Sequence, residues 1–462
     1  MGSNRLLRIM AAVMLVVPAA CAHSSTQHSA QESAITRIVH LTDADRYVPA
    51  TLTIHVGDVV RWVNDSHEVH TVTDLPSKAA YREDASLPPG AEPFNSGYLK
   101  PGTSYEHRFT VPGRYTYFCI PHESLGMVGS VMVLSADQGS TASGPSHLST
   151  TTAPARSLRA NPALFPSPVY VTLQRTGAIE AFPSERVFTG FPQAHYISSS
   201  PHGRLLLISG FQNGDAYVAD ARSGRKIATV HIGGLLQGVK IDPSGRYGFV
   251  VDASAGTVAV LALHPVHLLR RIPVGKVPHN VIFAPDDSRA YVTIQGGRAL
   301  TVIDMRSLAL RRTIPLPQVN GPHNLDIDPS GTTVWIRSHA HPQTDGEVAM
   351  VDLRSGNIVH LQHVGLYHGG IDVRPLTPYV FTADIGGDTL DVLDRTTLAI
   401  VKRLVVGTGP HGVRVSPNGA WVYVTDTRAN RLVVVDAKTL RIVQSIPVAG
   451  ENPFWLAVVG NE

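Results

Sequence analysis

From residue 195 to the end of the chain one short theme returns at nearly constant intervals, and no other feature restricts the fold as strongly. It is a run of apolar residues entered by a ring-bearing or amide side chain and closed by proline. It begins at His195, Gln237, His279, His323, His368 and His411, with spacings of 42, 42, 44, 45 and 43 residues, and Phe454 follows after another 43. A repeat of this length has room for four short strands and their turns. Each unit here carries three further strand-like runs, such as 289–294, 300–304 and 311–316. Four strands in roughly 40–45 residues is the period of a propeller blade.

Six complete units run from 195 to 453. Three strand-like runs precede them (Val169–Leu173, Ala178–Phe182 and Arg186–Gly190), and one inner strand follows at 454–459. A blade assembled from both ends would close the ring and leave no free sheet edge. The expectation is therefore an all-β chain whose residues 166–462 form a seven-bladed β-propeller. The runs at Tyr291-Val292-Thr293 and Tyr423-Val424-Thr425 make this segment resemble the YVTN family of propellers. That resemblance implies a fold and leaves the activity open, because propellers host many chemistries.

Upstream, residues 35–135 have a different texture. Thr51–Asn64 alternates around a Gly57-Asp58 turn. Tyr105–Val111 and Arg114–Cys119 flank Pro112-Gly113 as a second strand pair. Short strands, Gly/Pro turns and no helical period indicate a β-sandwich. The chemistry gathers on one short loop, where Cys119 and His122 are followed by Met127. A thiolate, an imidazole and a thioether, completed by one more imidazole, suit copper moving between Cu(I) and Cu(II). His70, directly before Thr71-Val72-Thr73, is the preferred fourth ligand, with His67 the rival.

The pieces Tyr47–Pro49, Val56–Asp58, Trp62–Asn64, His70–Thr73, Asn95–Gly97, Tyr115–Cys119, Pro121-His122 and Gly126-Met127 resemble a cupredoxin of the plastocyanin and pseudoazurin kind. The resemblance implies one type 1 (blue) copper held by His70, Cys119, His122 and Met127, and single-electron transfer with a redox partner protein.

The remaining segments frame these two. Arg5 and Arg8, an apolar stretch at 9–17 and the small residues before Cys21 read as a secretion signal over 1–21, with Cys21 the expected site of lipidation. The apolar stretch is too short for a membrane span. Residues 22–34 and 136–165 have linker compositions. An exported protein would sit in the periplasm or on the outer face of the bacterial membrane, held there only by such an anchor. Its one remaining cysteine, Cys119, would be an unpaired thiol in an oxidising compartment unless a metal holds it. The formal net charge of +3, with no basic stripe, points away from nucleic acid.

In the propeller, His195, His279, His323, His368 and His411 share one register, and the inter-strand loop bearing His339 and His341 opens on the same face. These seven are candidate ligands for a second metal or haem. The competing reading makes the repeated histidine a turn residue whose ring caps a backbone group. His360 and His363 are expected on the surface, and Asp384 and Asp426 in loop turns. Phe118 and Ile120 flank Cys119, which excludes multicopper oxidases and two-site copper nitrite reductases. The absence of a Cys-x-x-Cys-His motif excludes covalent c-type haem, and a single loop cysteine excludes a binuclear copper centre. Three functions stay open: an electron carrier with the propeller as docking platform, a redox enzyme with a second site at the propeller mouth, and a copper-binding or interaction protein of the cell envelope. The second resembles nitrous-oxide reductases, which join a cupredoxin to a seven-bladed His-rich propeller, although in the reverse order and with a different copper type, and cytochrome cd-type nitrite reductases, which use a propeller with active-site His.

Overall fold

The computed structural model describes residues 35–42, 46–66, 69–79, 84–125, 127–135, 159–339, 345–366, 368–374 and 376–461. The secretion signal, Cys21, His67, His341 and most of the expected linker lie outside the described residues. Among those described, no helix is long and apolar enough to cross a membrane.

The N-terminal part is a sandwich of two sheets. One orders Arg46–Val48, Thr36–Thr42, Val59–Asn64 and Ser104–Arg108; the other orders Thr51–His55, Val128–Leu134 and Gly113–Phe118. The strands on either side of Gly57-Asp58, and those flanking Pro112, therefore belong to opposite sheets instead of pairing as hairpins. Each turn carries the chain across the sandwich, so both strands of a pair aim their apolar residues at one shared core. Trp62, fully buried, centres that core, with Phe94, Tyr105, Phe109 and Tyr117 around it at ring separations of 5.3–6.3 Å.

The remainder is a propeller of seven four-stranded sheets. Six are consecutive meanders. The seventh orders Arg186–Thr189, Ala178–Phe182, Val169–Leu173 and Pro453–Val458, so the last strand of the chain is the innermost strand of the first blade. Both ends close one sheet, as the repeat count requires. The threonine of the Tyr-Val-Thr motif has a visible job in joining blades. Thr293 and Thr425 donate through Oγ1 to the carbonyls of His323 and Phe454 in the next blade, at 2.6 and 3.0 Å. A buried hydroxyl satisfied this way adds directional bonds to the apolar contact between blades.

Residues 159–165, expected to be linker, are instead part of the propeller. Ala160, Leu164 and Phe165 are buried in its core, Phe165 stacks on Tyr423 at 5.3 Å, and the Tyr423 hydroxyl donates to the Leu164 carbonyl at 2.7 Å. Small residues and prolines resemble a linker in composition, while the two apolar side chains among them decide the packing.

Candidate metal centres

The sandwich brings its expected ligands together at one edge. The strand Gly113–Phe118 delivers Cys119 into a six-residue 3-10 segment, Ile120–Leu125, that folds the loop back on itself. Three backbone bonds set its shape: His122 N to Cys119 O at 3.0 Å, Met127 N to His122 O at 3.2 Å and Cys119 N to Met127 O at 3.0 Å. His70 arrives from the opposite side in an isolated bridge with Leu99, which it meets at 3.1 and 2.8 Å. Asn64 pins that bridge by donating to the Leu99 carbonyl at 2.9 Å. Thr73 makes isolated bridges with Asn95 and Phe118, and no continuous strand runs through Val72 and Thr73.

The two halves are stitched through Thr71. Its hydroxyl accepts from Ile120 N at 2.7 Å, and its amide donates to Cys119 Sγ at 3.3 Å. Cys119 Sγ lies 3.6 Å from His70 Nδ1 and 3.5 Å from His122 Nδ1, and the two nitrogens are 2.9 Å apart. A circle through these three atoms has a radius of about 1.9 Å, close to a metal–imidazole bond of about 2.0 Å. The donors thus already stand where an ion at their centre needs them. His70, Cys119 and Met127 are fully buried, and His122 is half-buried at the rim.

The propeller histidines also converge. In six blades the inner strand changes register at its entry, as between Ala194 and Ile197, Pro278 and Val281, and Pro410 and Val413. The ring-forming residue falls inside that irregularity, which re-aims its side chain. The layer runs around the channel in ring contacts: His279–His323 at 3.3 Å, His323–His368 at 4.3 Å, His368–His411 at 5.4 Å, His411–Phe454 at 3.9 Å and Phe454–His195 at 4.0 Å. Gln237 completes it by meeting His195 Nε2 at 3.2 Å. Beneath, Tyr196, Asn280 and Asn324 plug the channel with a hydrogen-bonded floor.

At His195 the ring caps no backbone group, and its partners are side chains. His195 is satisfied at both nitrogens, by Gln174 at 3.0 Å and by Gln237. Nδ1 of His279, His323 and His368 has no hydrogen-bond partner among the described residues. Burial holds these imidazoles, and those of His195 and His411, well below the ordinary histidine range, so all are neutral. His339, half-buried, packs on His323 at 5.1 Å and His368 at 4.5 Å. His360 and His363 are exposed on an outer strand, as expected.

Asp384 and Asp426 are not exposed turn residues. Both end second strands and are buried, and burial lifts their carboxyls to about 7 and about 6. Asp384 belongs to a charged group with Arg337, Asp391 and Glu347. Arg337 is wholly buried, and the sequence reading passed over it. An arginine at an inward position of the apolar strand Thr333–Ser338 was the signal that could have found it.

Fold and site together define a cupredoxin copper domain joined to a seven-bladed propeller. Residues 39–134 match the family described as copper binding proteins, plastocyanin/azurin family, and residues 341–453 match a family described as the cytochrome D1 heme domain. Plastocyanin of Scenedesmus fuscus is 35% identical over 91 residues, which are 19% of this chain and 85% of that protein. Chloroplastic plastocyanin of Tetradesmus obliquus is 40% identical over 91 residues, and the chain spans 57% of its length. Through residues 39–134 the chain belongs to the plastocyanin/azurin family of copper-binding proteins. A crystal structure of a functionally unknown protein from Desulfotomaculum acetoxidans DSM 771 shares the fold, with a TM-score of 0.55 at 12% identity over 64% of this chain and 100% of that one.

Copper and haem fit these residues differently. The mixed nitrogen and sulfur triangle around Cys119 suits copper. In the propeller, the rings of the layer touch above a hydrogen-bonded floor, so a macrocycle would lie over the layer and not between its rings.

Proposed function

We propose that the chain is an exported single-electron carrier whose copper is held by His70, Cys119, His122 and Met127, with the propeller serving to dock a redox partner protein. The observation that carries this reading is the triangle of Cys119 Sγ, His70 Nδ1 and His122 Nδ1, set at ligand spacing by backbone bonds. When bound there, copper supplies one-electron exchange between Cu(I) and Cu(II).

The chain's own residues account for the rest. Thr71 N–H donates to Sγ and holds the sulfur in place. The stitched loops hold the donors rigidly, so the change of charge demands little rearrangement. Water is kept from Cys119 and Met127, and half-buried His122 offers a partner the shortest route to the site. The expected signature is an intense visible absorption and a copper electron-spin signal with small hyperfine splitting. Met127→Leu is expected to keep both and to raise the reduction potential, since the axial ligand tunes it. A chain that binds stoichiometric copper without the visible band would overturn the reading.

A second reading makes the chain a redox enzyme, in which the copper domain serves a second cofactor at the propeller mouth. The match of residues 341–453 to a haem-domain family and the converging imidazoles favour it. The third, a copper-binding envelope protein without electron transfer, has no comparable support.

A further inference from the structure

The geometry points to a second metal site in the propeller: His323, His339 and His368 bind one divalent transition-metal ion, with a coordination position left open to solvent. The inference rests on the second reading above and replaces the macrocycle by a bare ion. Each of the three residues offers a ring nitrogen within 4.8 Å of the other two. His323 and His368 come from the inner-strand entries of adjacent blades and are 3% and 8% exposed. His339 follows the second strand, Thr333–Ser338, and its amide donates to the Gly321 carbonyl at 2.7 Å, holding it over the other two. Three imidazoles with an open fourth position form a ligand set used for zinc and suited also to copper.

Two observations support ligation here, and the second separates this trio from mere repetition. The first is the unsatisfied nitrogens. Buried polar groups are almost always paired, and leaving one unpaired costs about 1–3 kcal/mol. His195 obeys that rule through its two glutamines, whereas Nδ1 of His279, His323 and His368 and both nitrogens of His411 meet no hydrogen-bond partner among the described residues, so the layer as a whole leaves nitrogens available to a ligand. The second is the position of His339. Duplication of a blade would copy the inner-strand histidine into each unit, and it did so five times. The residues at the register of His339 in the other blades are Gln174, Phe211, Ala253, Gln295, Ile385 and Thr427. One blade alone places an imidazole there, beside two others.

The copper domain reaches this face of the propeller. Arg428 lies in the loop after a second strand, the loop type that carries His339, and its guanidinium meets the Asp84 carboxylate at 2.6 Å. Asp84 adjoins Ala85, which packs against Phe118 and Ile120 on either side of Cys119. One ion pair thus links the rim of the copper loop to the mouth that holds the trio.

The test uses the full chain with its first site removed by Cys119→Ser and His122→Ala together, stripped by a chelator and titrated with Co(II), then with Zn(II). One ion per chain is expected, with visible cobalt bands of a low-coordinate nitrogen site. Stoichiometric binding is lost on adding His339→Asn, or separately His368→Asn, and is kept with His195→Phe. Because His339 stands in a half-buried loop, its variant is expected to melt with the parent, so that the loss reports ligation. Failure to retain any ion, or equal affinity in His339→Asn, overturns the site. Haem in the purified chain would overturn the bare ion while sustaining the enzyme reading. Neither haem nor a second ion would end both.

Discussion

The two imidazole clusters of this protein are built by opposite means. In the sandwich, a thiolate and two imidazoles are gathered from two loops with no sequence symmetry, and hydrogen bonds through Thr71, Leu99 and Met127 hold them in a triangle with sides of 2.9–3.6 Å. In the propeller, like donors are delivered mostly by a repeat, and in six blades a strand irregularity turns the repeated residue into the channel. The difference teaches how far a pattern can be trusted. A cysteine, a histidine and a methionine on one loop have almost no structural use in common, so their company implies a metal. A histidine repeated at a blade entry has a structural use available, and only its hydrogen bonds tell which copies need it.

The largest expected effect breaks the comparison at its stronger end. Cys119→Ser should abolish the visible copper band, while the propeller melts unchanged, because the two cores share no side chain. Absorption spectroscopy of the copper-loaded chain checks it, and survival of the band would remove the basis for a thiolate site. At the other end, His195→Phe should destabilise the propeller by about 1–3 kcal/mol by stranding Gln174 and Gln237 in the channel wall. Denaturant melts would show this with no change in metal content. An equal cost for His323→Phe would place His323 in the same structural role as His195.

Most of the fold was legible in the sequence, for reasons of arithmetic and chemistry. The 42–45-residue period fixes four strands per unit, and the leftover strands at each end leave one way to close the ring. The copper loop was legible because ligand softness narrows the metal. What stayed hidden depends on three-dimensional register. Nothing in the sequence says that the strands around Gly57 lie in different sheets, that Phe165 stacks on Tyr423, or that Asp384 is buried among charged neighbours. Alternation reports which face of a strand is apolar, and it is silent on which partner covers that face.

A smaller effect contrasts the two ends of the channel. At the end opposite the histidine layer, Asp326 and Asp372 are buried together, and burial and the Asp372 carboxylate push the Asp326 carboxyl upward. An acid with a raised pKa in the fold binds its proton more tightly there than in the unfolded chain. Stability is then full at low pH and falls as pH rises from about 3.9, the unfolded value, through the folded one. Asp326→Asn should flatten that decline, at some cost in baseline stability because one acceptor for Ile327 N or Val373 N is lost. Melting temperatures across pH 4–8 check it. An unchanged slope would assign the decline to other groups.

The smallest effect concerns the contact between the halves. Arg428 and Asp84 are partly buried, with side chains 18% and 12% exposed, and pair through a guanidinium nitrogen and a carboxylate oxygen. A pair of this kind contributes about 1 kcal/mol or less, so Arg428→Ala should barely move the unfolding midpoint. Its consequence is orientational. With the pair present, the copper loop and the propeller mouth keep one distance; without it, that restraint is lost. Electron-spin distance measurement between copper in the sandwich and Cu(II) in the histidine trio should give a narrow distribution in the parent and a broad one in Arg428→Ala. Equal widths would mean that the ion pair does not set how the two clusters face each other, and that docking must reside elsewhere on the two surfaces.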